Sequence, residues 1–325
     1  MWEVWSVLPS VAWRVGKVAA FIALGVTLAN GLVERVARLS KYLTRPANLP
    51  DEVGTAIVTT AASTTAGYGM LAEFRESGRL SDRATLVAVT INTFFGFVQH
   101  IFTFYAPVLI PILGLEVGLL YVGSRAAIAL AITLTGVLAG ALLLSRSDAA
   151  TTGTVEADGG TPSAPEDVGT EYPERVAGKL RYAVEEGYAK TRKILPRLAA
   201  IYVVVAVVTA NIDVTRATGA AEPLAAVIGL PGAAVPVIAV FALDTTNGAL
   251  FLASLPPETF TPEAAVATML VGGIVSFAVS TFKRSIPFQY GIWGADFGSK
   301  VVVVNTVLKV GFIALAVGLL LYGPV

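Results

Sequence analysis

Asp244 stands inside a long apolar run. Residues 238–243 read IAVFAL, and Thr245, Thr246, Asn247 and Gly248 follow before apolar sequence resumes. A carboxylate at the centre of a membrane helix costs about 2.5–3.5 kcal/mol on insertion scales, so it is kept where it meets a cavity, a partner or a coupling ion. Asp244, Thr245, Thr246 and Asn247 offer hard oxygens at close spacing, and Gly248 lets the backbone bend and present carbonyls. That set suits Na⁺, a proton or a polar solute held by hydrogen bonds. The plainer alternative is a helix cap or a structural ion pair at a bend. Ser63, Thr64, Thr65 and Gly67 repeat the hydroxyls without the carboxylate. Such hydroxyls also bond back to their own helix.

Two cations are equally out of place. Lys309 lies nine residues beyond Lys300, and Arg125 nine beyond Glu116. At a rise of about 1.5 Å per residue, each is roughly 13 Å into the bilayer. There a cation must pair or snorkel, and Asp244 is the nearest plausible counter-ion for Lys309. Asn92, Gln99 and His100 share one apolar segment, with Asn92 and Gln99 seven residues apart on one helical face. These three are candidate polar contacts for a solute, or bonds to a neighbouring helix. Glu116 and Asp296 each sit between glycines at a helix start, where a carboxylate favours the positive end of the dipole. The chain has one histidine and no cysteine. That excludes disulfides, thiolate metal sites and histidine clusters, and no metal centre is expected. No nucleophile–base pair, P-loop or GxGxxG is present, so the chain reads as no enzyme, and no cofactor is implied.

These residues must be positioned by a structure that the chain states twice. GLEVG at 114–118 and GADFG at 294–298 are 180 residues apart. The same offset sets Pro107 on Pro287, Phe97 on Phe277 and Ala84 on Ala264. An offset of 181 sets STTAG at 63–67 on DTTNG at 244–248, and Leu71 on Leu252. Duplication inside an apolar chain is a common plan of membrane transporters and puts the site between the repeats. Hydrophobic residues make up 55% of the chain and charged residues 14%, with mean hydropathy +0.72. A soluble domain carries about 25% charge, so an integral membrane protein is predicted. Net charge is zero, and no nucleic acid is expected as partner. Trp2, Trp5 and Trp13 read as an interfacial anchor rather than part of a signal peptide.

Four apolar segments fall in each half: 18–33, 54–71, 84–112 and 117–144, then 198–210, 223–255, 264–282 and 301–322. A span needs about 20 residues. The second of each set is interrupted by its polar cluster, which predicts a broken or re-entrant segment lining a cavity. Residues 1–146 form a first repeat and 194–325 a second. Between them, 147–174 is an acidic linker without Lys or Arg, and 175–197 a basic amphipathic helix. Cytoplasmic loops are enriched in Lys and Arg. If segments 54–71 and 223–255 dip in and return, Arg45, Arg75, Arg79, Arg83, Arg146 and Lys300 all lie inside. The N-terminus is then outside, the linker cytoplasmic, and the repeats inverted. Ser63 and its neighbours should then approach Asp244 near the midplane.

The broken stretch TTAGYGMLAEF, the basic SGRLSDR after it, and the segment ending FYAPVLIPILG resemble archaeal membrane proteins related to the spore-maturation SpmA and SpmB proteins. Those carry the Gate, or nucleoside-recognition, domain, which is also found in the ferrous-iron transporter FeoB and is related to concentrative nucleoside transporters. The resemblance covers about residues 50–145 and 225–320 and implies paired inverted repeats with broken helices near the centre. The chain has neither a GTPase domain nor cysteines in these segments. The expected fold is an all-α polytopic membrane protein of two inverted repeats, each about three spanning helices plus one broken segment. The expected function is passage of a small polar solute or ion, with Na⁺ or H⁺ coupling at Asp244. The alternatives are a non-transporting scaffold or partner subunit, or a lipid-handling protein. Membrane lipids and the solute are the expected partners, and self-association into a homo-oligomer stays open.

Overall fold

The computed structural model describes residues 42, 44–145, 223, 225–280 and 285–323. The expected spans 18–33 and 198–210, the linker and the basic helix lie outside the described residues. Every regular element among the described residues is helical: α1 (Asp51–Ala62), α2 (Thr64–Glu76), α3 (Asp82–Ile91), α4 (Thr93–His100), a π-helix (Ile101–Leu109), α5 (Ile110–Leu113), α6 (Leu115–Leu143), α7 (Ala234–Leu243), α8 (Thr245–Ser254), a 3-10 turn (Pro257–Thr259), α9 (Pro262–Ser280) and α10 (Ile286–Tyr322). Three stretches are long and apolar enough to cross a membrane: Asp82–Leu113, Leu115–Leu143 and Phe288–Tyr322.

The two interrupted segments are helical hairpins, each turned by one residue. Ser63 is extended (φ −146°, ψ 110°) between α1 and α2. Its N–H closes α1 on Thr59 O at 2.7 Å, and its Oγ accepts from Ala66 N at 3.3 Å to cap α2. Asp244 has the same backbone (φ −153°, ψ 123°) between α7 and α8. Its N–H donates to Val240 O at 3.0 Å, and its Oδ1 accepts from Asn247 N at 2.9 Å. A polar N-cap at the break stabilises a helix that starts inside apolar surroundings, where no water satisfies the first N–H groups. Four residues on, a glycine lets each pair fold back. A Cβ on Gly67 would stand 2.7 Å from Ala56 O, and one on Gly248 2.7 Å from Phe241 Cδ2. The offset of 181 therefore holds for hinge, cap acceptor and close approach alike.

The long helices also match in detail. Gly114 (φ 83°, ψ 169°) starts α6, and Gly294 (φ 74°, ψ 166°) kinks α10. Glu116 and Asp296 follow two residues later, in the first turn past each kink, as the dipole argument predicts. The last span thus starts again at Gly294, seven residues before the apolar run at 301. The span Asp82–Leu113 breaks after Ile91, and α6 repairs the break. Thr133 Oγ1 donates to Ile91 O at 2.9 Å and accepts from Phe94 N at 3.1 Å. Pro107, which has no N–H to give, lies in the π-helix, a form concentrated at functional sites.

Each hairpin anchors its own core. Ile57, Leu71, Ile91, Phe95 and Phe297 pack around the first, and Tyr121, Phe241, Met269 and Leu270 around the second. Small residues set helix approach, as is usual in membranes: Gly136 meets Ile91, and Gly140 meets Ala47. Leu119, Leu134, Leu138 and Leu142 stand exposed along α6, the last at 75%. A leucine row of this kind belongs against lipid.

Polar contacts group the helix ends. Asn48 Nδ2 donates to Leu144 O at 2.8 Å. Asp82 takes Arg75 Nε at 2.7 Å and Lys300 Nζ at 3.4 Å, while Arg75 also lies 4.1 Å over the Phe297 ring. One end of the bundle therefore gathers residues 45–48, 75–82, 144 and 297–300. Elsewhere Gly229 abuts the Tyr322 hydroxyl, and α5 packs on α8.

Candidate functional site

Two adjoining cavities lie between the hairpins. The first, of about 250 Å³, is lined by Thr64 at the start of α2 and by Asn92, Ile132 and Asn305. The second, of about 240 Å³, is lined by Thr245 at the start of α8 and by Tyr121, Ser276 and Phe277. They share a wall of five residues: His100, Tyr105, Arg125, Lys309 and Ile313. Thr64 and Thr245 are equivalent at the 181 offset, so each hairpin apex presents the same hydroxyl to one of the two chambers.

The order of lining residues fixes how the chambers stack. On α6, Tyr121 lines only the second, Arg125 both, and Ile128 to Ile132 only the first. On α10, Asn305 lines only the first, and Lys309 both. The chambers therefore lie one above the other along these helices, with the cations between them. The first is toward the end that holds Lys300 and Leu144; the second is toward Gly114.

The cations do not snorkel. Arg125 and Lys309 are half-buried and face the cavities. Arg125 and Tyr105 both line the two cavities, beside Lys309. The Lys309 ammonium stands 4.9 Å from the centroid of the Phe277 ring, a cation–π contact. Its expected partner is a correction: no ion pair within 4.0 Å joins Lys309 to Asp244. One oxygen of that carboxylate, Oδ1, caps α8 instead.

The other predicted residues divide by role. Thr64 Oγ1 donates to Gln99 Oε1 at 2.5 Å, and Asn92 Nδ2 donates to Thr60 Oγ1 at 2.7 Å. The seven-residue spacing of Asn92 and Gln99 therefore clamps the first hairpin on both sides of its turn. Asn92 Oδ1 is buried, has no partner among the described residues, and belongs to a residue of the cavity wall. His100 donates Nδ1–H to Gly96 O at 2.9 Å, which leaves Nε2 as the free acceptor of a cavity residue. Ser63 and Asp244 are the hinges, and neither lines these two cavities. Thr65, Thr246 and Asn247 are likewise off the wall, although Asn247 Oδ1 is buried without a partner among the described residues. Among the described residues no group of three metal-ligating side chains occurs.

Tyr105, Tyr121 and Asn305 were not among the predicted site residues. A signal for two of them was present. Tyr121 precedes Arg125, and Asn305 precedes Lys309, by four residues, so each shares a helical face with an intramembrane cation. Arg125 and Asn305 are also equivalent at the 180 offset.

The chain is similar to two proteins of Methanocaldococcus jannaschii. It is 24% identical to uncharacterized protein MJ0871 over 252 residues, 76% of this chain and 72% of that protein. It is 22% identical to uncharacterized protein MJ0880 over 312 residues, 90% of this chain and 93% of that one. No family model and no solved structure matches the chain.

Proposed function

We propose that this is a membrane transporter or channel-like protein for a small polar solute, which passes through the stacked cavities between the two hairpins. The observation that carries the reading is the convergence of Thr64 and Thr245 on chambers divided by Arg125, His100, Tyr105 and Lys309. Intramembrane polar groups are costly, and their concentration around adjoining voids is a usual mark of a solute path. The halves are inverted repeats in this proposal. Supporting that, the first hairpin begins and ends beside Asp82, Leu144 and Lys300, while the second is reached from Tyr322 and packs on α5. The Gate-domain resemblance fits the same plan. No nucleotide motif is present, so a Na⁺ or H⁺ gradient or the solute's own gradient drives passage.

The test is flux in proteoliposomes, with uridine, benzoate, inorganic phosphate and Na⁺ as probes. At least one probe should cross faster than in empty liposomes, and a Thr64→Trp or Thr245→Trp variant should block it. If none crosses, and thiol reagents fail to reach Thr64→Cys and Thr245→Cys in the membrane, the protein is a scaffold.

A further inference from the structure

We infer that the solute is a small oxyanion, with its carboxylate or phosphate group held between Arg125 and Lys309. The inference rests on the transport reading and names its substrate class. Two cations, Arg125 and Lys309, line the same pair of cavities. No Asp or Glu lines either cavity among the described residues. The nearest acid by sequence, Asp244, spends an oxygen on the Asn247 N–H instead. Two like charges at membrane depth are held at a cost unless something negative is shared between them.

The donors are arranged for that role. The Arg125 guanidinium is a planar fork suited to two oxygens, and Tyr105 lines the same two cavities. The Lys309 ammonium adds a point charge from the opposite helix. The apex residues Thr64 and Thr245 stand at the first positions of α2 and α8, whose N-terminal ends carry partial positive charge, and the Thr245 hydroxyl adds a donor on the second chamber. Apolar surface at Ile128, Ile313, Phe97 and Phe277 accepts a short organic body. Asn92 Oδ1 can take a hydroxyl or a water carried with it.

The experiment uses the full-length protein in a non-ionic detergent, with thermal unfolding read against sodium benzoate, sodium phosphate, uridine and ionic-strength-matched choline chloride. Benzoate or phosphate should raise the unfolding midpoint saturably, and choline chloride should not. Lys309→Gln and Arg125→Gln should each weaken that binding at least tenfold, with Arg125→Lys recovering part of it. If Arg125→Gln does not fold, Lys309→Gln alone decides the matter, and Lys300→Gln serves as the distant control. Competition of benzoate by phosphatidylglycerol nanodiscs would assign the same oxyanion site to a lipid headgroup. Lack of competition would assign it to a free solute. Stabilisation by uridine with no response to either oxyanion overturns the inference but leaves the transport reading standing. Failure of every probe here, together with failure of every probe in the flux assay, overturns both.

Discussion

At the scale of single residues, the hinges and their glycines carry the sharpest expectations. Asp244 caps α8 through one oxygen, and asparagine caps as well as aspartate does. Asp244→Ala removes the cap and should lose about 1 kcal/mol, and Asp244→Asn, which keeps the cap, should lose less. Thermal unfolding in detergent measures both. Equal loss in the two variants would mean that the carboxylate charge does more than cap. The glycine four residues later is less forgiving. A side chain on Gly248 must push into Phe241, which is itself 1% exposed. Gly248→Val should cost about 1–3 kcal/mol by overpacking. Gly69→Ala, on the open side of α2 with nothing within 4 Å, should cost nothing. The polar clusters were legible in the sequence because hydroxyls and a carboxylate interrupt apolar runs at matching positions. Which of them would face a cavity was not. Within 63–67 and 244–248 each residue points about 100° around the helix from its neighbour, so only Thr64 and Thr245 reach the chambers. An extended hinge residue shifts that phase in a way that composition does not encode.

At the scale of elements, the spans and their interruptions were more legible in the sequence than their ends. The segment expected at 84–112 is observed as Asp82–Leu113, and that at 117–144 as Leu115–Leu143, because hydropathy changes sharply at Ser81, Gly114 and Leu144. The last span was read too short, since Lys300 and Asp296 mask a helix that continues to Gly294. The pairing of α1 with α2 and of α7 with α8 rests on the close approach at Gly67 and Gly248, which a one-dimensional pattern hides. Hairpins that begin and end on one face make a testable statement. In this cysteine-free chain, Arg79→Cys, Ser145→Cys and Lys300→Cys should react with an impermeant thiol reagent from one side of the membrane. Glu116→Cys and Glu258→Cys should react from the other. Labelling of Arg79→Cys and Ser145→Cys from opposite sides would mean that α1 and α2 cross as a single span. The Arg75–Asp82–Lys300 cluster holds α2, α3 and α10 together at that end, but it is solvent-exposed. Asp82→Asn should therefore cost under about 1 kcal/mol.

At the scale of the whole molecule, two similar hairpins meet a single cationic layer. Arg125 and Lys309 come from α6 and α10, the helices that follow Gly114 and Gly294, yet they are not equivalent positions. The 180 offset places Asn305 opposite Arg125 and Ala129 opposite Lys309. Each half thus contributes one cation and leaves a neutral residue where the other half has its charge, so the duplicated frame builds one shared site rather than two. That asymmetry predicts how the space between the hairpins is divided. Asn305 lines only the first chamber and Ser276 only the second, with the cations between. A small impermeant thiol reagent should then modify Asn305→Cys from the side that labels Arg79→Cys, and Ser276→Cys from the side that labels Glu258→Cys. Adding Lys309→Ala should open the layer and let each cysteine react from both sides. If both cysteines react from one side in the parent background, the chambers form a single vestibule. The layer of Arg125 and Lys309 would then be the floor of a binding pocket and not a barrier within a path.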